Sequence, residues 1–244
     1  MNISLQTNIT DVNTSRRLTY FESLFIHLYR QIFKEIEESG KEDLLDLGCG
    51  TGMFRALAEK KGFNVFGVDL SDEILRFAGR QNNEINFFLT NFEKLDFADN
   101  SMDIVTAINS LQYTNEFLPV LAEAKRVLKE NGKLIIVHWG KPVWCDSFKV
   151  FNAIHNCIFQ DQKAPIEFSL SDDQISEASI DKIGLTFNGT RAISCPFVFS
   201  REEAVEAFMS TVPVLAAENF ISYEKLENIR EITSPEYGMA YQNK

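Results

Sequence analysis

Apolar residues recur along the first part of the chain in two alternating patterns. Short apolar runs alternate with segments in which apolar residues return every three or four positions, which is typical of strands that alternate with helices. This order predicts βαβ units, and hence a doubly wound, mainly parallel α/β sheet with right-handed crossovers. The predicted strands are Asp43–Leu47, Asn64–Asp69, Ile85–Leu89, Met102–Ile108 and Lys133–Trp139.

Helices are predicted between these strands and before the first of them. The spacing indicates helices at about Gly52–Lys61, Asp72–Arg80 and Phe117–Lys129, and Asn131-Gly132 is expected to cap the last one. Phe21–Ile36 has apolar residues at helical spacing and predicts a single amphipathic helix on the edge of the domain.

The pattern changes after the fifth predicted strand. Residues 140–168 combine many large apolar side chains with two prolines, which favours a helical lid inserted into the fold. A further strand is predicted at Leu185–Ile193, and helical patterns follow it.

Composition narrows the classes of partner. The chain has 24 Lys+Arg against 35 Asp+Glu, a formal net charge of −11, so its surface should repel nucleic acid and anionic lipid. Its four cysteines form no Cys-x-x-Cys pair, which argues against a metal site and is typical of a cytoplasmic protein. No stretch approaches the roughly 20 apolar residues of a membrane span. We therefore expect a cytoplasmic protein with no metal, nucleic-acid or membrane partner.

The turn after the first predicted strand carries the strongest chemical signal. In a doubly wound sheet, ligands bind beyond the carboxyl ends of the strands. There the chain reads Asp46-Leu47-Gly48-Cys49-Gly50-Thr51-Gly52. Alternate glycines let the backbone turn sharply and approach a ligand closely, and the next helix directs its first amides to the same place.

A dinucleotide-binding fold is the competing interpretation of this turn. Its fingerprint, G-x-G-x-x-G, fails here because the third glycine would fall on Met53 or on Arg55. Asp46 also suits a ligand with an ammonium group better than one with a pyrophosphate. Asp69, at the end of the second strand, can accept hydrogen bonds from ribose hydroxyls in either fold, so it does not discriminate between them.

Four segments together resemble the class I S-adenosylmethionine-dependent methyltransferases. DLLDLGCGTG and VFGVDLS resemble the first two motifs of that family, and NFEKLDFADNSMDIV and EAKRVLKENGKLIIV resemble later ones, so that the resemblance covers Leu44 to Trp139. HWGKPVWCDSFKVF resembles a segment of the small-molecule subset of the type 11 methyltransferases, which is distantly like the ubiquinone-biosynthesis enzymes. The resemblance implies S-adenosylmethionine as cofactor and S-adenosylhomocysteine as product.

The resemblance also implies roles for individual residues. Asp46, Gly48, Cys49 and Gly50 would line the methionine part of the cofactor, and Asn109 would face its sulfonium. The remaining cofactor contacts would be made by Asp69 and Leu70 at the ribose and adenine, by Asn91 and Phe92 at the adenine edge, and by Tyr20 as a cover. At Asn91-Phe92 the family usually has an acid followed by a small residue, so this sequence departs from the pattern there.

Methyl transfer from a sulfonium is an in-line displacement, in which positioning alone can supply on the order of 7–11 kcal/mol. His138, at the end of the fifth predicted strand, is the candidate catalytic base, although it could equally be a packing residue. Aromatic walls suit a small apolar or aromatic guest and can stabilise the sulfonium. The predicted substrate pocket consists of Trp139, Trp144, Phe148, Phe151 and His155.

The predicted organisation has three consecutive parts. Residues 1–40 form an N-terminal helical segment over the cofactor, residues 41–140 the cofactor-binding core, and residues 141–244 the aromatic insertion and the elements that complete the sheet and substrate pocket. The predicted function is methylation of a small metabolite at oxygen, nitrogen or carbon. Two alternatives stay open, a protein or RNA methyltransferase and a catalytically inactive partner subunit that binds S-adenosylmethionine.

Overall fold

A computed structural model describes residues 12–36, 42–82, 86–114, 116–139 and 177–195. Backbone contacts divide the chain into two units. Of the described residues, 12–25 and 194–195 belong to the first unit and the others to the second. The predicted insertion at 140–168 lies outside the described residues, and the predicted boundaries at 40 and 140 stay predictions. Among the described helices, none has the length and apolar character needed to span a membrane.

The first unit contains helix α1, Val12–Ser23, and α2, Ile26–Ile36, opens the second unit. The prediction of one helix over Phe21–Ile36 is therefore wrong. The Ser23 hydroxyl donates a 2.6 Å hydrogen bond to the Tyr20 carbonyl at the end of α1, and the next two amides bond three residues back instead of four. These shorter bonds form a turn, which ends the first helix before the second begins.

Five parallel strands form the sheet of the second unit, in the order β3-β2-β1-β4-β5. The predicted doubly wound α/β class is confirmed, and β1, β2 and β4 have the predicted bounds. Strand order reverses beside β1, so the carboxyl end of β1 lies at the topological switch point. The strands are β1 Asp43–Leu47, β2 Asn64–Asp69, β3 Phe87–Leu89, β4 Met102–Ile108 and β5 Leu128–Val137.

Helices pack on this sheet through apolar faces that the sequence spacing dictates. The second unit has four α-helices after α2 among its described residues, and a 3-10 helix, Leu111–Tyr113, follows β4. Phe33 of α2 stacks on Phe54 of α3 with ring centroids 5.1 Å apart. The Ser71 hydroxyl caps α4 by accepting the Ile74 amide at 3.3 Å. The α-helices are α3 Met53–Glu59, α4 Asp72–Asn82, α5 Phe117–Val127 and α6 Glu177–Lys182.

Strand β5 begins earlier than predicted, and Asn131-Gly132 does not cap α5. The pairing of β5 with β4 shifts register between the Met102–Leu128 pair and the Ile104–Lys133 pair, so the ladder is irregular there. Asn131 lies within this irregular stretch and takes a left-handed conformation, with φ 62°. The same Asn-Gly chemistry that ends helices thus forms an irregularity within a strand. Because β5 ends at Val137, the last two residues of the predicted strand lie beyond it.

The strand predicted at Leu185–Ile193 is not present. Leu185 and Phe187 pack, half-buried, against the apolar core, whereas Thr186 and residues 188–192 are exposed. Gly189 then takes φ 105°, which interrupts extended pairing. The alternating pattern here reflects a chain segment lying on the core rather than a hydrogen-bonded strand.

A charged cluster ties the amino ends of β1 and β4. The Lys129 ammonium lies 2.9 Å from the Asp43 carboxylate and 2.8 Å from that of Asp103, which also accepts the Asp43 amide at 3.1 Å. The hydrogen bond from Lys129 lowers the pKa of Asp43. This cluster lies at the edge of the sheet opposite to the switch point.

Candidate functional site

The turn after β1 has a backbone that favours glycine. Gly48, Gly50 and Gly52 have φ 79°, 54° and 83°, in the left-handed region that other residues avoid. The amides of Gly48 and Cys49 both donate to the Val68 carbonyl, at 2.8 and 3.0 Å. The turn is thereby folded over the end of β2.

Gly48 also has no room for a side chain. A Cβ atom at this position would lie 2.3 Å from the Cβ of Ser110, well inside contact distance. Ser110 itself is buried and follows β4. The turns after β1 and β4 therefore touch at the carboxyl edge of the sheet.

The Asp69 carboxylate lies against this turn. Its Oδ2 accepts the Gly50 amide at 3.1 Å and its Oδ1 accepts the Ser71 amide at 3.0 Å. Burial raises the pKa of Asp69, and hydrogen bonds from the amides of Ser71, Gly50 and Leu70 offset part of that rise. The Leu70 side chain is half exposed beside it, so an apolar surface adjoins the carboxylate.

Asp46 is a second acidic residue beneath the turn. It is 2% exposed, and its Oδ1 accepts a 2.7 Å hydrogen bond from the Thr106 hydroxyl of β4. The sequence prediction missed Thr106, although a polar residue inside the apolar run of β4 was a usable signal. The bond across the sheet fixes the orientation of the Asp46 carboxylate.

The segment after β4 brings further polar groups to the same edge. Asn109 has φ 49°, and its amide donates to the Val137 carbonyl at 2.9 Å. Ser110 Oγ and Gln112 Oε1 are buried and have no hydrogen-bond partner among the residues that the structure describes. The prediction had only Asn109 here. Ser110 and Gln112 lie directly after a strand that ends at the switch-point edge, and this position would have identified them as candidates.

Tyr113 is the last residue of the 3-10 helix, and its hydroxyl has an unusual pKa. Burial raises its pKa to about 12, although 39% of the residue surface is exposed. A hydrogen bond from the Gln112 side chain opposes that rise, and the negative charge of Asp69 adds to it. The Tyr113 hydroxyl therefore remains protonated at neutral pH and lies within electrostatic reach of Asp69.

The residues predicted at the adenine edge differ in their exposure. Asn91 is exposed, and its Oδ1 accepts the Glu93 amide at 3.0 Å, which orders the start of the loop. The Phe92 side chain is buried in the apolar core. Only the backbone of Phe92 is thus left for contact with a ligand.

Arg126 of α5 holds the remainder of that loop. Its guanidinium donates to the Phe97 carbonyl at 2.8 Å and to the Leu95 carbonyl at 3.0 Å. Glu123, paired with Arg126 at 2.7 Å, accepts the Leu95 amide at the same distance. The loop after β3 is therefore tied to α5 by charge-assisted hydrogen bonds.

The remaining predicted site residues lie further along the chain or in the first unit. His138 follows β5, and its Nδ1 lies 2.8 Å from the Trp139 carbonyl. Tyr20 lies in α1, within the first unit. Trp144, Phe148, Phe151 and His155 lie outside the described residues. The roles of all these residues stay predictions, and the described part of the chain has no group of acidic, His and Cys residues that could hold a metal ion.

The segment that contains the carboxyl edge of the sheet is similar to known proteins. Residues 45–136 match a family model described as a methyltransferase domain. YqeM of Bacillus subtilis (strain 168), a proposed methyltransferase, is 32% identical over 159 residues, which is 61% of this chain and 62% of YqeM. The demethylmenaquinone methyltransferase of Renibacterium salmoninarum is 35% identical over 101 residues, 41% of this chain and 43% of that enzyme. The chain thus spans less than two thirds of either relative.

One solved structure supports the fold assignment. It contains a proposed methyltransferase in complex with the Trm112 methyltransferase activator of Haloferax volcanii. The two chains superpose with a TM-score of 0.60 at 21% identity, over 78% of this chain and 81% of the other. At this identity the similarity shows the fold alone.

Proposed function

Because residues 45–136 belong to the methyltransferase domain family, we propose that the chain transfers a methyl group from S-adenosylmethionine to a small apolar or aromatic metabolite. The observation that carries the proposal is the contact between the Asp69 carboxylate and the Gly50 amide at 3.1 Å. It supports the proposal because a carboxylate, which would accept from sugar hydroxyls, lies beside a glycine-rich turn. The domain match covers part of the chain, so the activity of the whole chain is part of the proposal.

The residues of the turn suit this cofactor. The left-handed glycines at 48, 50 and 52 carry no side chains, so a ligand can approach the backbone closely at the positions that no neighbour fills. A carboxylate has about four acceptor positions, so Asp69 retains capacity for ribose hydroxyls while it holds its neighbouring amides. The half-exposed Leu70 side chain offers an apolar face to a base.

The cofactor supplies a methyl group that is already activated by the positive sulfur. The protein then has to hold it and to align the acceptor. Methionine would be held near Asp46, Gly48 and Gly50. The ribose and adenine would be held by Asp69, Leu70 and Asn91, with Asn109 beside the sulfur. Alignment of this kind can supply on the order of 7–11 kcal/mol without an acid or a base.

Charge and composition support a small acceptor. A net charge of −11 disfavours polyanionic substrates such as RNA. The demethylmenaquinone methyltransferase among the relatives is named for a quinone acceptor. We include Trp139 in the proposed acceptor pocket and His138 as the candidate base, and the roles of the aromatic residues after them stay predictions.

Calorimetry with S-adenosylhomocysteine tests the cofactor site. Asp69→Ala should weaken binding tenfold or more, because hydrogen bonds to a charged group contribute about 1.5–3 kcal/mol. Asp181→Ala, which removes an exposed carboxylate from α6, is the matched control and should leave the affinity unchanged. Absence of binding heat at high micromolar ligand would exclude the proposed cofactor.

Labelled S-adenosylmethionine tests the acceptor class. The protein is incubated in parallel with a metabolite extract, total RNA and a protein extract. We expect label in a small molecule. Transfer of label to RNA or protein would instead favour a macromolecular methyltransferase, and binding without transfer in all three mixtures would favour an inactive partner subunit.

A further inference from the structure

Gln112 has hydrogen-bonding capacity that the described residues do not use. Its side chain donates to the Tyr113 hydroxyl, while its Oε1 is buried without a hydrogen-bond partner in the described part of the chain. An amide has both a donor and an acceptor end. With the donor end directed to Tyr113, the oxygen is the buried end without a partner among the described residues, and burial of such a group is costly.

The position of Gln112 indicates which molecule would meet this group. Two residues earlier, Ser110 packs on Gly48 in the proposed methionine-binding turn. One residue later, the Tyr113 hydroxyl responds to the charge of Asp69, which we assign to the ribose. Gln112 thus lies in the short segment between groups that adjoin both ends of the proposed cofactor site. If the cofactor lies as proposed, an acceptor aligned with its methyl group would approach this part of the sheet edge.

We propose that the amide oxygen of Gln112 accepts a hydrogen bond from an O–H or N–H group of the methyl acceptor. Gln112 would then be a specificity-determining residue that selects acceptors with a hydrogen on, or beside, the nucleophilic atom. This inference rests on the proposed function and adds the chemical class of the acceptor to it.

The hydrogen bond has a defined place in the transfer. A lone pair of the acceptor nitrogen or oxygen would form the bond to the methyl carbon, while the carbon–sulfur bond would break and leave its electron pair on sulfur. Positive charge grows on the acceptor atom, so its hydrogen bond to Gln112 strengthens. The proton then leaves to solvent water. Tyr113, with its pKa raised to about 12, donates hydrogen bonds and does not remove the proton.

Two probe molecules of nearly equal shape test this selection. Phenol carries an O–H group where toluene carries a methyl group, and the binding of each to the full chain can be followed by NMR titration, with and without S-adenosylhomocysteine. We expect the wild-type protein to bind phenol more tightly than toluene. Gln112→Met, which keeps the length but removes the amide, should weaken phenol binding about tenfold and leave toluene within about twofold.

Gln112→Glu is the matched variant, because a carboxylate still accepts hydrogen bonds, and it should retain the preference for phenol. Equal losses for phenol and toluene in Gln112→Met, or no preference in the wild-type protein, would overturn the inference. Binding of S-adenosylhomocysteine is measured separately in each variant. If the wild-type protein does not bind S-adenosylhomocysteine, the proposed cofactor is wrong. The preference for phenol, measured without S-adenosylhomocysteine, tests the role of Gln112 alone.

Discussion

The protonation state of Asp69 determines what the proposed site can bind. A carboxylate accepts hydrogen bonds at both oxygens, whereas its protonated form must donate at one of them. Burial raises the pKa of Asp69 above its ordinary value of 3.8, so the change of state occurs at a higher pH than for an exposed aspartate. The strength of ribose binding should follow that titration.

We therefore expect the affinity for S-adenosylhomocysteine to be constant at high pH and to fall as the pH drops through the raised pKa of Asp69. The sign follows because the ionised form is the one that accepts from the ribose. Isothermal titration between pH 8 and pH 4.5 measures the effect. Asp69→Asn should bind more weakly at pH 8 and lose this dependence. An equally steep fall in that variant would assign the titration to another group.

A side chain at Gly48 should cost more stability than one at a glycine that has a similar backbone conformation but open space around it. Gly62 has φ 95° with no atom within 4 Å of a Cβ placed there, whereas Gly48 meets Ser110 at 2.3 Å. Gly62→Ala should lower the free energy of unfolding by roughly 1–2 kcal/mol through backbone strain alone. Gly48→Ala should cost about 1–3 kcal/mol more through overpacking.

Urea unfolding of the two single variants, together with the double variant Gly48→Ala/Ser110→Gly, separates these contributions. Removal of the Ser110 side chain should recover the overpacking part but not the strain. If the double variant is no more stable than Gly48→Ala, the contact between the two turns does not limit the size of residue 48.

Part of the candidate site could be predicted from single residues, and part could not. Asp46, Gly48 and Asp69 stood out because of their positions at strand ends, and the structure brings them to one edge, while their ligand roles stay predictions. Thr106 and Ser110 stood out only as polar residues in and after β4, and their contacts with Asp46 and Gly48 could not be assigned. Their contacts depend on β4 lying beside β1, and the order of strands in a sheet is not a local property of the sequence.

At the scale of elements, the periodic apolar pattern predicted β1, β2 and β4 with correct bounds. It failed where a local signal has two structural meanings. Asn131-Gly132 suits an irregularity within a strand as well as a helix cap, and alternation over Leu185–Ile193 suits a packed loop as well as a strand. At Ser23 the helix ends through a side-chain hydrogen bond, which apolar spacing does not report.

Arg126 should contribute more to stability than an exposed arginine in a simple pair. It makes several hydrogen bonds between α5 and the loop after β3, whereas Arg76 pairs with Asp72 on the surface of α4. Arg126→Met should lower the free energy of unfolding by about 1–3 kcal/mol, and Arg76→Met by less than about 1 kcal/mol. Chemical denaturation measures both. Similar losses in the two variants would contradict a tethering role for Arg126.

At the scale of the whole second unit, the sheet has one edge for the proposed ligand and another for stabilisation. Asp69 and the turns after β1 and β4 lie at the carboxyl edge, while Lys129 joins Asp43 and Asp103 at the amino edge. The two edges are separated by the length of the strands. A ligand at one edge therefore leaves the charged cluster at the other untouched.

S-Adenosylhomocysteine should accordingly protect residues 48–52, 69–71 and 109–113 from hydrogen exchange and leave residues 42–43 and 128–129 unchanged. At one hundred times its dissociation constant, it should raise the free energy of unfolding by about 2.7 kcal/mol, because it binds the folded state alone. Exchange measured by mass spectrometry with and without ligand tests the pattern. Protection at the amino edge and none at the turns would place the ligand elsewhere.

The hydrogen bonds from Gly50 and Ser71 to Asp69 join residues of the chain itself and fix the loops that follow β1 and β2. The loops are thereby preorganised, and an incoming nucleoside has little backbone to immobilise. Its capture should then show a small entropic penalty and a single kinetic phase, governed by diffusion to the sheet edge instead of by rearrangement of the loops.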